Sequence, residues 1–123
     1  MISSKDIASL YAQIDKYWHP HVVESLNGQE VKIAKGKGAF DWHSHPQEDE
    51  LFIVWRGTLY IELREGTVSI PTGSMYLVPR GVEHRPYTEA DQEVWIMMME
   101  PAGTLNTGDR QTEKAVAAPP RLT

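Results

Sequence analysis

Gly38-Ala39-Phe40-Asp41-Trp42-His43-Ser44-His45-Pro46-Gln47-Glu48-Asp49-Glu50 is the stretch on which the reading of the whole chain turns. On extended backbone, side chains alternate with period two, so His43 and His45 project to the same side. Glu50 opens the next apolar run and can meet both imidazoles across a hairpin. A third imidazole, His84, lies 34 positions beyond Glu50 and follows the turn Pro79-Arg80-Gly81. Three neutral imidazole nitrogens with one carboxylate oxygen form a ligand set suited to a first-row divalent metal.

Outward from this stretch the pattern is short strands broken by glycine and proline. Val31 to Ile33 alternates, Phe40 to His45 is extended as far as Pro46, and Glu50 to Arg56 is a dense apolar run ending at Gly57. Leu59, Ile61 and Leu63 alternate with Tyr60, Glu62 and Arg64, which predicts a half-buried strand with Tyr60 facing out. Thr67 to Ile70, Met75 to Val78 and Val94 to Met99 follow, separated by turns. About eight such strands predict an all-β sandwich or barrel. The runs Leu51 to Trp55 and Val94 to Met99 are apolar on both faces, unlike a strand wet on one side. Each therefore calls for a second dry cover, either a helix or another subunit, and a homodimer is expected.

Before the strands, Ile7, Leu10, Tyr11, Ile14, Tyr17 and Trp18 recur at helical spacing, with Ser3 or Ser4 as a cap and Pro20 as the stop. The expected organisation is a helix in residues 1–20 packed on a barrel of residues 21–100, followed by an extended or disordered tail, 101–123. That tail holds mainly Pro, Gly, Ala, Thr and charge. His19 and His21 flank Pro20 and are read as structural, set against the macrodipole at the helix terminus.

The 123 residues suffice for one domain with its own core. A net charge of −5 argues against nucleic acid as a partner. The absence of cysteine excludes disulfides, thiolate catalysis and sulfur-ligated metal, and fits the cytoplasm. Lys5, Asp6, Asp15 and Lys16 near the start argue against a signal peptide or membrane span.

The segment Gly38 to Gly57 resembles the first motif of the cupins: a glycine, then His-x-His, four residues, a glutamate, six residues and a glycine. Gly73 to His84 is similar to the second motif: a glycine, five residues, Pro-x-Gly, two residues and a histidine. Fifteen residues separate Gly57 from Gly73, as in small bacterial cupins. Two positions depart from the pattern. Gly38 stands one residue nearer His43 than in the commonest form, and Thr88 replaces the asparagine that often ends the second motif. The resemblance implies a double-stranded β-helix, or jelly roll, with His43, His45, Glu50 and His84 as ligands of one divalent transition metal (Fe, Ni, Mn or Zn). Such a ligand set leaves two of six octahedral positions open.

The implied activity is that of a metal-dependent enzyme acting on a small oxygenated molecule, sugar or diketone-like, of dioxygenase or isomerase type. Glu50 is then the candidate general base. The alternative is a non-catalytic module that binds a sugar or metabolite. Tyr60, Tyr76 and Arg56 are candidates for the barrel mouth. Glu48 and Asp49 are read as solvated, and Phe40, Trp42, Trp55 and Trp95 as core or interface residues.

Overall fold

A computed structural model describes residues 2–123. One short helix, α1 (Ile7–Tyr11), precedes eight strands: β1 (His21–Leu26), β2 (Gln29–Gly36), β3 (Glu50–Arg56), β4 (Thr58–Leu63), β5 (Gly66–Pro71), β6 (Met75–Val78), β7 (His84–Tyr87) and β8 (Val94–Pro101). They form two antiparallel sheets, one of five strands in the order β1-β2-β8-β3-β6 and one of three in the order β5-β4-β7. The jelly-roll barrel expected from the sequence is the fold found.

The main core lies between the sheets. Phe52 and Val54 of β3, Leu59 and Ile61 of β4, and Val94 and Ile96 of β8 are buried together with Ile70 and Val78. Period two accounts for each choice, since every second residue of these strands faces inward. Tyr60 falls on the opposite face of β4 and stacks on Tyr87, with ring centroids 5.3 Å apart. On β3 the pairing with β8 shifts register between Val54 and Arg56. The bulge carries Trp55 outward, where it is exposed.

A second core covers part of the outer face of the five-stranded sheet. Leu10, Tyr11 and Ile14 pack there on Val23 and Ile33, flanked by Trp95 and Met97. Tyr11 stacks on Trp95 at 4.7 Å and donates its hydroxyl to the Ile96 carbonyl. The run Val94 to Met99 is thus dry on both sides because α1 covers it. Along β3 and β6 the cover stops, and Trp55, Met75 and Leu77 are exposed.

The helix is shorter than its spacing predicts and is capped elsewhere. Asp6, not Ser3 or Ser4, is the N-cap, accepting from the Ser9 backbone N–H at 3.0 Å and from its hydroxyl at 2.6 Å. After Tyr11 the chain turns through short-range bonds from Gln13 to Leu10 and from Ile14 to Tyr11. Tyr17 then bridges Lys35, and Trp18, at φ 58°, donates its backbone N–H to the Lys35 carbonyl at 2.7 Å. Pairing with β2 and packing against Phe40 (5.3 Å) draw Trp18 out of the helical path. His19 and His21 therefore do not sit at a helix terminus: His21 opens β1, and the two rings lie 5.2 Å apart.

Phe40 to His45 is not a regular strand. It touches β7 through single bridges, Ala39 with Tyr87 and His43 with His84. The two departures from the motif pattern meet at its start. Thr88 Oγ1 accepts from the Gly38 N–H, and the Thr88 N–H donates to the Gly38 carbonyl, both at 2.8 Å.

Residues 102–123 have almost no regular structure but lie against the chain's own barrel. Leu122 donates to Val22, and Val22 to Pro120, at 2.9 and 2.8 Å. Thr112 and Lys114 bond the Asp41 carboxylate at 2.7 and 3.3 Å. No helix among the described residues is long and apolar enough to cross a membrane.

Gly57 makes the β3–β4 turn at φ 82°, and a Cβ there would lie 2.5 Å from the Glu93 carbonyl oxygen. Gly57→Ala combines left-handed strain with a backbone clash. It is expected to lower stability by about 1–3 kcal/mol, read from the urea midpoint at unchanged slope. A midpoint equal to the parent's would show that the turn relaxes freely.

Candidate metal centre

His43, His45, Glu50 and His84 converge inside the barrel, each offering one ligand atom, and these atoms all lie within 4.8 Å of one another. All four side chains are buried, at 3 % exposure or less. Reciprocal backbone bonds place two of them: His43 N–H to the His84 carbonyl at 3.0 Å, and His84 N–H to the His43 carbonyl at 2.9 Å. The His45 carbonyl accepts from Gly81 at 2.8 Å, which fixes the same segment to the Pro79-Arg80-Gly81 turn. Glu50 is the first residue of β3, on the inward face that Phe52 and Val54 continue.

Two imidazoles are held in one tautomer by the backbone. His43 Nδ1 lies 2.8 Å from the Asp41 carbonyl and His84 Nδ1 lies 2.9 Å from the Val82 carbonyl. A carbonyl can only accept, so Nδ1 carries the proton and Nε2 keeps its lone pair for the centre. His45 Nε2 and His84 Nε2 stand 3.2 and 3.6 Å from Glu50 Oε1. None of these three buried atoms has a hydrogen-bond partner among the described residues. Buried polar atoms without partners are costly, and a shared divalent cation satisfies all of them at once. The cluster fits such an ion and could hold one.

The electrostatics extend past the four residues. Burial and the neighbouring His84 lower His43 to about 4, so it is neutral at ordinary pH. At His45 burial opposes the charged form, yet the adjacent Glu50 carboxylate raises its pKa. Burial likewise works against the Glu50 anion, but the neighbouring Glu100, His45 and His84 hold that group well below the usual carboxylate range.

Glu100 was not singled out from the sequence. It is 2 % exposed, and burial together with the Glu50 charge pushes it well above the ordinary range. Lys32, equally buried, bonds Glu100 Oε1 and the Thr104 carbonyl, both at 3.0 Å. Protonated Glu100 can donate to the Glu50 carboxylate while its other oxygen accepts from Lys32. Parity held the signal: Val94, Ile96, Met98 and Glu100 share the inward face of β8, as Lys32 and Ala34 do on β2.

A cavity of about 40 Å³ opens beside the cluster. Its walls come from the barrel interior (Ala34, Phe52, Ile96, Met98), from the segment before β1 (Trp18, Pro20) and from the tail (Asn106). The tail sits tightly here. Gly108, at φ 58°, passes so close to the Ser44 carbonyl that a Cβ would fall 2.1 Å from its oxygen, and Asp109 and Ser44 exchange bonds at 2.9 and 3.0 Å. Tyr60, Tyr76 and Arg56 do not line this cavity. Arg56 stacks on Trp95 at 4.3 Å, on the outer face. Asp49, in the loop before Glu50, bonds the Arg80 backbone at 2.8 Å. Of the aromatics expected in the core, Phe40 is buried against His43, whereas Trp42 lies under the Arg64 guanidinium, 3.8 Å away.

Residues 29–100, more than half of the chain, match the cupin domain family. The chain belongs to the cupins. Among solved structures this cupin is similar to a cupin-2 domain protein of Shewanella frigidimarina, with 36 % identity and a TM-score of 0.76 over 79 % of this chain and 93 % of that one. It shares its fold with protein NMB1881 of Neisseria meningitidis, at 24 % identity and a TM-score of 0.72, covering 81 % of this chain and all of the other. The uncharacterised protein YdbB of Bacillus subtilis is 38 % identical over 64 residues, 51 % of this chain. The chain spans 57 % of that relative's length.

In the metal-free cupin, His43 is expected to stay neutral down to about pH 4, while His45 keeps its proton to higher pH than an ordinary histidine. The imidazole Cε1–H signals in an NMR titration read both midpoints. A His43 midpoint at the ordinary value of 6.5 would mean that burial does not control it.

Proposed function

We propose that His43, His45, Glu50 and His84 hold one divalent transition metal (iron, nickel, manganese or zinc) and that the protein is a metal-dependent enzyme acting on a small oxygenated molecule in the adjoining cavity. The observation that carries this reading is the convergence of four buried ligand atoms within 4.8 Å, with two imidazoles already oriented by backbone carbonyls. A bound metal of this kind supplies Lewis-acid polarisation of a substrate oxygen or, for a redox-active ion, dioxygen chemistry.

The chain's own residues supply the rest. Backbone acceptors at Asp41 and Val82 aim His43 and His84. Glu100, held by Lys32, lies beside Glu50, and Phe40 and Phe52 help keep bulk water off the cluster. Glu50 is the candidate general base, since its carboxylate is ionised and one of its oxygens faces the imidazoles.

Protein purified without chelator is expected to carry one equivalent of metal by elemental analysis. His43→Ala should lose it while keeping the strand signature in circular dichroism, because the core between the sheets does not include His43. Metal retained in full by that variant would misplace the site. The pH dependence follows from the proton bookkeeping. The metal must displace the proton on His45, whose pKa is raised, so affinity falls as pH drops through that value. His43 competes only near pH 4. Occupancy after dialysis should therefore begin to decline while pH is still at or above the ordinary histidine value of 6.5. Flat occupancy to pH 4 would count against imidazole ligands.

We propose in addition that the chain forms a homodimer through the uncovered part of the five-stranded sheet. Trp55, Met75 and Leu77 are 45, 64 and 49 % exposed there, and β6 is the sheet's edge strand. Sedimentation equilibrium should give a dimer, and Leu77→Lys should give monomer. A parent protein that is monomeric at micromolar concentration would overturn the assignment.

A further inference from the structure

We infer that the molecule this site takes is compact and apolar along its body, with a single oxygen-bearing end that meets the four-ligand cluster, and that it is not a sugar or other polyol. The inference rests on the metal reading above for the head of the ligand. The body is assigned from the walls alone.

Those walls are Trp18, Ala34, Phe40, Phe52, Ile96 and Met98, three of them aromatic and none offering a buried hydrogen-bonding group. The Trp18 indole N–H is turned away to the Lys37 carbonyl at 3.1 Å. Four polar residues also border the space: His43, Glu50, Glu100 and Asn106. His43 and Glu50 belong to the ligand cluster. Glu100 accepts from Lys32 at Oε1, whereas its Oε2 has no partner among the described residues. Asn106 uses both ends of its amide within the tail, donating to the Lys114 carbonyl and accepting from Val116 N–H, each at 2.8 Å. Away from Glu100, which adjoins the cluster, the wall presents no polar side-chain group that is not already bonded.

A ligand hydroxyl placed against this wall would give up its water partners and find none in return. In an apolar pocket a single added hydroxyl lowers selection by about a hundredfold. A polyol carries several. The cavity is also small, with space for roughly three waters. A short branched chain fits such a space better than a pyranose ring.

The test compares two acids of equal size and identical α-hydroxycarboxylate head, 2-hydroxybutanoate with an apolar body and glycerate with a hydroxyl in place of its terminal methyl, titrated by calorimetry into zinc-loaded and metal-free protein. Shifts of the Ile96 and Met98 methyl signals locate the bound body. The apolar acid is expected to bind about a hundredfold more tightly, with those two methyls perturbed. Glycerate binding as well as or better than 2-hydroxybutanoate, or neither acid moving the methyls in either form, overturns the inference. Failure of the metal reading shows differently: zinc is not taken up, or loading leaves both affinities unchanged, while the ratio between the two acids stays high.

Discussion

The reciprocal hydrogen bonds between His43 and His84, at 3.0 and 2.9 Å, are the constraint on which the rest of the site depends. Segment 39–45 belongs to neither sheet, and through this pair and the Ala39–Tyr87 bridge it is fastened to β7 of the three-stranded sheet. Glu50, five residues after His45, already lies in the five-stranded sheet. The chain between them thus crosses from one sheet to the other, carrying ligands to both sides of the barrel interior. Backbone bonds set the positions, so the imidazoles are arranged by the fold and an ion held there would have little ordering left to do.

Burying this much charge imposes a second constraint. A lone buried carboxylate would be expected to protonate, yet the neighbouring Glu100 and imidazoles hold Glu50 as the anion against its burial. Glu100 then takes the opposite role because two adjacent anions cannot both persist in a dry interior. Lys32 completes the chain, anchored at the Thr104 carbonyl just after β8. The consequence is mechanical as well as electrostatic. Glu50 has His45, His84 and Glu100 as close neighbours, so its carboxylate has few orientations available.

Much of the fold and the four-residue cluster was legible in the sequence because both rest on period two and on residues near one another in the chain. The inward set of β3 follows from Glu50, Phe52 and Val54, and that of β4 from Leu59 and Ile61. What escaped was decided by tertiary contact. The helical spacing runs on through Tyr17 and Trp18, but bonds to β2 compete with the helix there and win. Lys32 between Val31 and Ile33 looks like the wet side of a strand. It is buried because α1 covers the valine and isoleucine face while the lysine side looks into the barrel. Glu100 closes a run of apolar residues and carries no motif. Its importance appears only when β8 lies beside β2 and β3.

The origin of the cavity walls limits what family membership can say about the ligand. His43, His45, Glu50, His84 and Glu100 all fall within residues 29–100, the span matched to the cupin family. Trp18, Pro20 and Asn106, which line the same cavity, fall outside it. Trp18 is a flanking residue held on β2 and Phe40 within that span, whereas Asn106 is held by Lys114 and Val116 of its own tail. Likeness to other cupins therefore bears on the group of atoms that could hold an ion. The shape and dryness of the space beside it come partly from flanking segments, and they must be read from this chain itself.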